Sequence, residues 1–211
     1  PIYETPVQPK FLTHFSCADN KGLFKPDSVR AGRRHTVVRV PGVDVKAFSC
    51  EMSLQSFEVE LAPELVDTYF AEIRASDALR AVLAGQRAKG RAFEERYLKF
   101  ARFDGPLPPT REKHQAMDVL RVTPRGLLQV GSDTVYEVRR DNKPLPHLPV
   151  QLVHEGTPTG HWLRTDSSGR IAFRLPLSGR WLLRAVDLRP PISDDARWES
   201  RFIAYTFEVA P

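Results

Sequence analysis

Residues 149–188 constrain what this chain can fold into more than any other stretch. Three turn clusters, at 156–160, 166–169 and 178–179, separate four apolar runs. Glycine, proline and small polar residues in the clusters reverse the chain, and β-branched and aromatic residues fill the runs. Consecutive antiparallel strands satisfy both signals. Counting outward, segments 119–122, 134–139, 150–154, 161–164, 171–175, 181–188 and 202–209 read as seven strands. Seven strands in roughly 95 residues is the size of an immunoglobulin-like β-sandwich. Trp181 and Phe207 each stand in a strand-like run and are expected in its core.

The earlier half carries a mixed signal. Residues 1–10 hold three prolines and almost no periodicity, which predicts an extended arm. Segments 11–17, 36–40 and 45–50 read as short strands, and 54–61 alternates as a further strand with a slip near Ser56. The period changes at Ala62. Pro63 opens a helix where its missing N–H costs little, and Glu64 and Asp67 sit near the positive end of the dipole. Leu65, Val66, Tyr69, Phe70 and Ile73 recur at helical spacing. Ser76 caps a second helix, which Gly85 stops. A third helix is predicted from about Arg91, because Phe93, Tyr97 and Phe100 or Ala101 line one side. The predicted architecture is therefore mainly β. An N-terminal β-rich part, 1–106, carries a helical insert at about 62–104. A proline-containing linker follows at 106–113, and then the sandwich at 114–211.

The formal charge is +5. Arginines are spread over the chain among Asp and Glu, with no basic block and no nucleic-acid-binding motif, so a solvated basic surface is expected and nucleic acid is not. No apolar run is long enough to span a bilayer, which argues against an integral membrane protein. The chain opens on Pro1 without an initiator Met, as a mature chain with its signal peptide removed would. Cys17 and Cys50 are the two cysteines, each in a Phe-Ser-Cys triplet. They form either a disulfide in an oxidising compartment or two buried thiols. The matching local context suggests neighbouring strands and favours the disulfide.

Several catalytic motifs fail on inspection. Residues 85–90 have phosphate-loop spacing, but Arg91 and Ala92 stand where lysine and a hydroxyl are needed. His154-Glu155 begins like a zinc-protease helix, yet the second histidine is absent and Pro158 forbids the helix. Asp166–Gly169 is explained by a turn with Asp first and Gly fourth. With no nucleophile–base pair to name, an enzyme ranks below a binding protein. The histidines are the remaining ligand candidates. If 156–159 is the loop of a hairpin, His154 pairs with His161 on one face, close enough to share an ion of Ni, Co, Zn or Cu. His147, nearest in sequence, is the candidate third ligand.

Three places resemble a bacterial periplasmic domain-of-unknown-function family grouped with periplasmic components of cobalt and nickel uptake. Residues 93–101 look like its E-R-Y-x-x-x-A helix. Residues 143–150 followed by 165–170 look like its strand-turn-strand with a T-D-x-x-G-R turn, Asn142 replacing a glycine. Residues 179–186 with Trp198-Glu199-Ser200 and Thr206-Phe207 look like its closing strand pair. Asp187 stands where many members carry a histidine. The resemblance implies a periplasmic or secreted, non-enzymatic accessory or binding protein linked to transition-metal uptake, with a metal-uptake membrane transporter as partner. The rival expectation is a cell-envelope module for protein or glycan contact with no metal role.

Overall fold

The computed structural model describes residues 7–33, 35–107, 114–124, 126–157, 159–193 and 196–211. The arm before residue 7 and most of the 106–113 linker lie outside them. The first part of the chain runs β1 (Leu12–Asp19), β2 (Leu23–Phe24), β3 (Ser28–Ala31), β4 (Thr36–Arg39), β5 (Phe48–Leu54) and β6 (Phe57–Leu61). Helices α1 (Pro63–Glu72) and α2 (Asp77–Ala88) follow, then β7 (Phe93–Asp104). The second part runs β8 (Met117–Thr123), β9 (Asp133–Arg140), β10 (Lys143–Pro144), β11 (Pro149–His154) and β12 (His161–Arg164). It ends with β13 (Arg170–Arg174), β14 (Gly179–Arg189) and β15 (Trp198–Val209). All seven strands expected in this part are present, and the protein is mainly β.

The strands form a nine-stranded sheet, ordered β12-β11-β14-β15-β7-β5-β1-β2 with β6 also on β7, and a four-stranded sheet of β10-β9-β13 with β8 on β9. One sheet thus joins strands from both sides of the 106–113 segment. The junction is β7 beside β15, the one parallel pairing among the named strands, with register from Trp198↔Glu95 to Thr206↔Phe103.

The third helix expected from Arg91 is instead β7. Its register explains the misleading spacing. Side chains alternate across a strand, so Phe93, Glu95 and Tyr97 share one face while Phe100, Arg102 and Asp104 share the other. The first half of β7 buries one face and the second half buries the opposite one. Phe93 packs with Val66, Phe70, Leu83, Leu188 and Trp198 beneath the helices. Phe100 belongs to the main core with Val119, Tyr136, Val150, Trp181, Leu183, Tyr205 and Phe207. That core fills the space between the two sheets, and Trp181 and Phe207 lie in it as expected, 3% and 2% exposed. The inward positions Glu95 and Arg102 are polar, which removes the strand-like alternation from the sequence.

Helix α1 starts at Pro63 in its first turn, and the Ser76 side chain caps α2 by accepting from the Leu79 N–H at 3.3 Å. The helical hairpin is held to the sheet by aromatic packing of Phe70 and Phe93 on Trp198, whose Nε1 donates to Gln86 Oε1 at 2.6 Å.

Cys17 and Cys50 are directly opposed on β1 and β5 and form a disulfide. The loop it closes, with a sequence separation of 33, corresponds to about 3–4 kcal/mol of unfolded-state entropy. Reduction is expected to lower the unfolding free energy by about that amount. Urea titrations with and without reductant measure it, and a thiol assay on denatured, unreduced protein should find no free thiol.

Candidate functional site

Moving across the large sheet on its core face, one row of paired residues reads Leu152, Leu183, Tyr205, Arg102, Glu51, Ser16. The face is apolar over the sandwich and becomes charged over the N-terminal strands. There, Arg102 makes a two-pronged contact with Asp118 of β8, Nε to Oδ1 at 2.7 Å and Nη2 to Oδ2 at 2.6 Å, and donates from Nη1 to Ser49 at 2.6 Å. Both partners are buried, 3% and 1% exposed. Burial pushes the Asp118 carboxyl up, but hydrogen bonds from His114 and Arg102 outweigh it and hold the group below the ordinary aspartate range. Asp104 behaves oppositely: burial raises it, although it accepts from Tyr205 Oη at 2.8 Å.

At the edge of this cluster His14, Ser16 and Glu51 come together. The His14 Nε2 lies 3.1 Å from both Ser16 Oγ and Glu51 Oε1, and Ser16 Oγ itself donates to Glu51. Nucleophile activation requires the base to meet the hydroxyl with one ring nitrogen and the carboxylate with the other. Here a single nitrogen meets both, so the trio is a hydrogen-bond network joining β1 to β5.

The histidines singled out in the sequence do not converge. The β11–β12 register pairs Leu152, not His154, with His161. The reason lies in the turn: the His154 carbonyl accepts from the Thr157 N–H at 3.1 Å, so the chain already reverses at 154–157. β12 therefore leaves β11 two residues earlier than a four-residue loop would require, while His154 stays paired with Trp181 of β14 and Glu155 bonds Arg180. His154 Nδ1 accepts from the Gly156 N–H at 3.1 Å, and Nε2 is 2.8 Å from the Ser178 carbonyl, so both ring nitrogens are engaged within the chain. His147 precedes the opposite end of β11, a strand that spans about 16 Å. Among the described residues no group of three or more His, Cys, Asp or Glu is arranged to hold a metal ion.

His147 instead borders a cleft of about 170 Å³ between the helical hairpin and the sandwich. Three distant segments build it: the α1–α2 turn (73–76), the turn before β11 (146–149) and the end of β14 (186–188), with Arg164 closing one side. Ile73, Leu79, Leu148, Val186 and Leu188 give an apolar lining. Two non-glycine residues in the left-handed region stand on it, Arg74 at φ 51° and His147 at φ 58°. Such conformations cost about 1–2 kcal/mol each and persist where the surroundings fix them. Around His147 the fixing group is Thr165. Its Oγ1 accepts from the Leu148 N–H and donates to the Leu145 carbonyl, at 2.8 and 2.6 Å.

The charges around the cleft are unequal. Arg74 lies over the Trp162 ring at 4.6 Å, and Arg164 donates from Nη1 to the His147 carbonyl at 2.6 Å. Asp187 is the lone carboxylate among the described lining residues, and Arg140 and Arg189 neutralise it at 2.7 and 3.1 Å. Arg74 and Arg164 therefore line a cleft of mixed polar and apolar character, whose one carboxylate among the described lining residues is already ion-paired. Arg74, Arg164 and Asp187 were not legible as a site in the sequence, because nothing local links residues so far apart.

Comparison of the chain with known protein families, with characterised proteins and with solved structures gives no match.

Proposed function

We propose that the chain is a periplasmic or secreted binding module that recognises an acidic group on another cell-envelope component, protein or glycan, through the cleft between its helical hairpin and its sandwich. The observation that carries this reading is the pair Arg74 and Arg164, both lining a cleft where Asp187 is already neutralised. Guanidinium groups suit carboxylates because their N–H geometry matches two acceptor oxygens. The Cys17–Cys50 disulfide supports an oxidising compartment, and no helix among the described residues is long and apolar enough to cross a membrane. We also read the sandwich as immunoglobulin-like, since strands β8, β9 and β13 face β12, β11, β14 and β15, seven strands divided three and four.

Titration of isotope-labelled protein with galacturonate, succinate and inorganic phosphate, followed by amide chemical shifts, tests the proposal. Shifts centred on 73–76, 146–149 and 186–188 are expected, and Arg164→Ala should weaken them. Shifts absent or scattered at about 10 mM ligand, where even weak site-specific binding registers, would refute it.

The link to nickel or cobalt uptake and to a membrane transporter rests on the family resemblance. With His147, His154 and His161 apart and His154 engaged at both nitrogens, calorimetric titration with nickel, cobalt, copper and zinc is expected to show nothing tighter than about millimolar. Tight binding lost on His154→Ala with His161→Ala would favour metal uptake instead.

A further inference from the structure

The chain has 31 basic and 26 acidic residues. Residues 20–40 contain six of the basic ones and a single acidic one, Asp27, which leaves 25 of each elsewhere. The entire formal surplus of the protein therefore sits in these 21 residues. An even scatter of arginines, as the sequence suggested, hides this because acidic residues are what the segment lacks.

The fold gives the segment a place apart. Strands β3 and β4 pair only with each other and join neither large sheet. The register Ser28↔Arg39 and Arg30↔Val37 puts Arg30 and Arg39 on the same face of this hairpin. Lys21, Lys25, Arg30, Arg33 and Arg39 are all exposed. The ion pair of Arg39 with Asp27 is long, 3.6 Å, and leaves the arginine side chain 74% exposed. The segments that flank the hairpin in sequence, β2 and the loop after β4, lie together: the Asp44 N–H donates to Asp19, whose carboxylate also takes the N–H groups of Lys21 and Gly22. Each presents a large apolar side chain to solvent, Leu23 at 63% and Val45 at 70% exposure. Lys46, next to Val45, is exposed as well.

We propose that this end of the molecule is a contact surface for an anionic phospholipid membrane, held by the basic hairpin and by insertion of Leu23 and Val45. Charge complementarity selects a polyanion. The exposed apolar pair selects a lipid surface among polyanions, because a nucleic acid or a sulfated glycan has no apolar layer to receive those side chains. The surface is separate from the arginine-rimmed cleft and stands or falls without it.

Each lysine or arginine near an anionic bilayer strengthens attachment roughly fivefold, and the attraction fades as salt shortens its range. The test is co-sedimentation of the full chain with vesicles of equimolar phosphatidylglycerol and phosphatidylcholine, against vesicles of phosphatidylcholine alone. Binding to the anionic vesicles only, lost at about 0.5 M salt, is expected. Arg30→Gln with Arg39→Gln should weaken it about twentyfold. Leu23→Ser with Val45→Ser should weaken it severalfold at unchanged net charge. These side chains are exposed, so an unchanged far-UV spectrum will show that the variants fold. Vesicle binding that ignores either pair of substitutions, or binding to duplex DNA or heparin with none to vesicles, overturns the proposal.

Discussion

Arg102→Met is expected to lower the unfolding free energy by about 3–5 kcal/mol, because it strands the Asp118 carboxylate inside the protein. Asp118 is 1% exposed, and its remaining protein contacts include N–H donation from Val119 at 2.9 Å and Gln115 at 3.3 Å. With the longer contact to His114 at 3.7 Å, these are weaker than the two-pronged guanidinium they would have to replace. Urea unfolding of the oxidised protein measures the loss. The double variant Arg102→Met with Asp118→Leu removes both charges and should regain about half of it or more, since the cost lies in the uncompensated charge rather than in the missing contact. If the two single losses simply add, the pair is not coupled and the expectation is wrong. Asp118 also contributes to the acid behaviour. Its folded pKa lies below the ordinary value. Its stabilising contribution is present above the unfolded pKa of about 3.9 and disappears as pH falls through the lower folded value.

Trp198→Ala is expected to cost a similar amount, about 3–5 kcal/mol. The indole is 1% exposed, stacks edge-on against Phe70, and holds Gln86 of α2 through its N–H. Its removal leaves a void beneath both helices and an amide without its donor. Hydrogen exchange in α1 and α2 should rise far more than in β14, because Val66, Phe70 and Leu83 of the helices share their buried cluster with this indole. A loss below about 1 kcal/mol would mean that the hairpin docks without this anchor. Since the α1–α2 turn forms one wall of the cleft, this variant should also weaken any ligand bound there.

The sandwich strands were readable because apolar residues alternate along most of their length and each run ends at a turn rich in Gly, Pro, Asp or Ser. Strands β14 and β15 also change their buried face, near 186–187 and 201–202, but their inward positions there stay largely apolar. Strand β7 was not, because its inward positions include buried charged residues. It changes its buried face between Tyr97 and Phe100 and places Glu95 and Arg102 inward, so the aromatic spacing imitates a helix. The hairpin at His154 failed because the turn begins earlier than its residues suggest: the His154 carbonyl is taken by the Thr157 N–H, and the ladder to β12 ends at Leu152. The disulfide was legible from its repeated Phe-Ser-Cys context, since both cysteines lie at matching places in strands. The cleft was illegible because its turns use arginine and histidine where glycine would have marked the left-handed backbone.

The parallel pairing of β7 with β15 brings together residues about a hundred positions apart. β15 is also the last strand of the chain and lies between β7 and β14 in the sheet. A chain emerging from a ribosome therefore has its early strands long before the strand that completes their hydrogen bonding. Contacts this distant in sequence form slowly, and an unpaired β7 border invites association with other chains in the interval. Truncation ahead of Trp198 would not yield a smaller working protein. It would leave two half-sheets, each with an open border where β15 belongs.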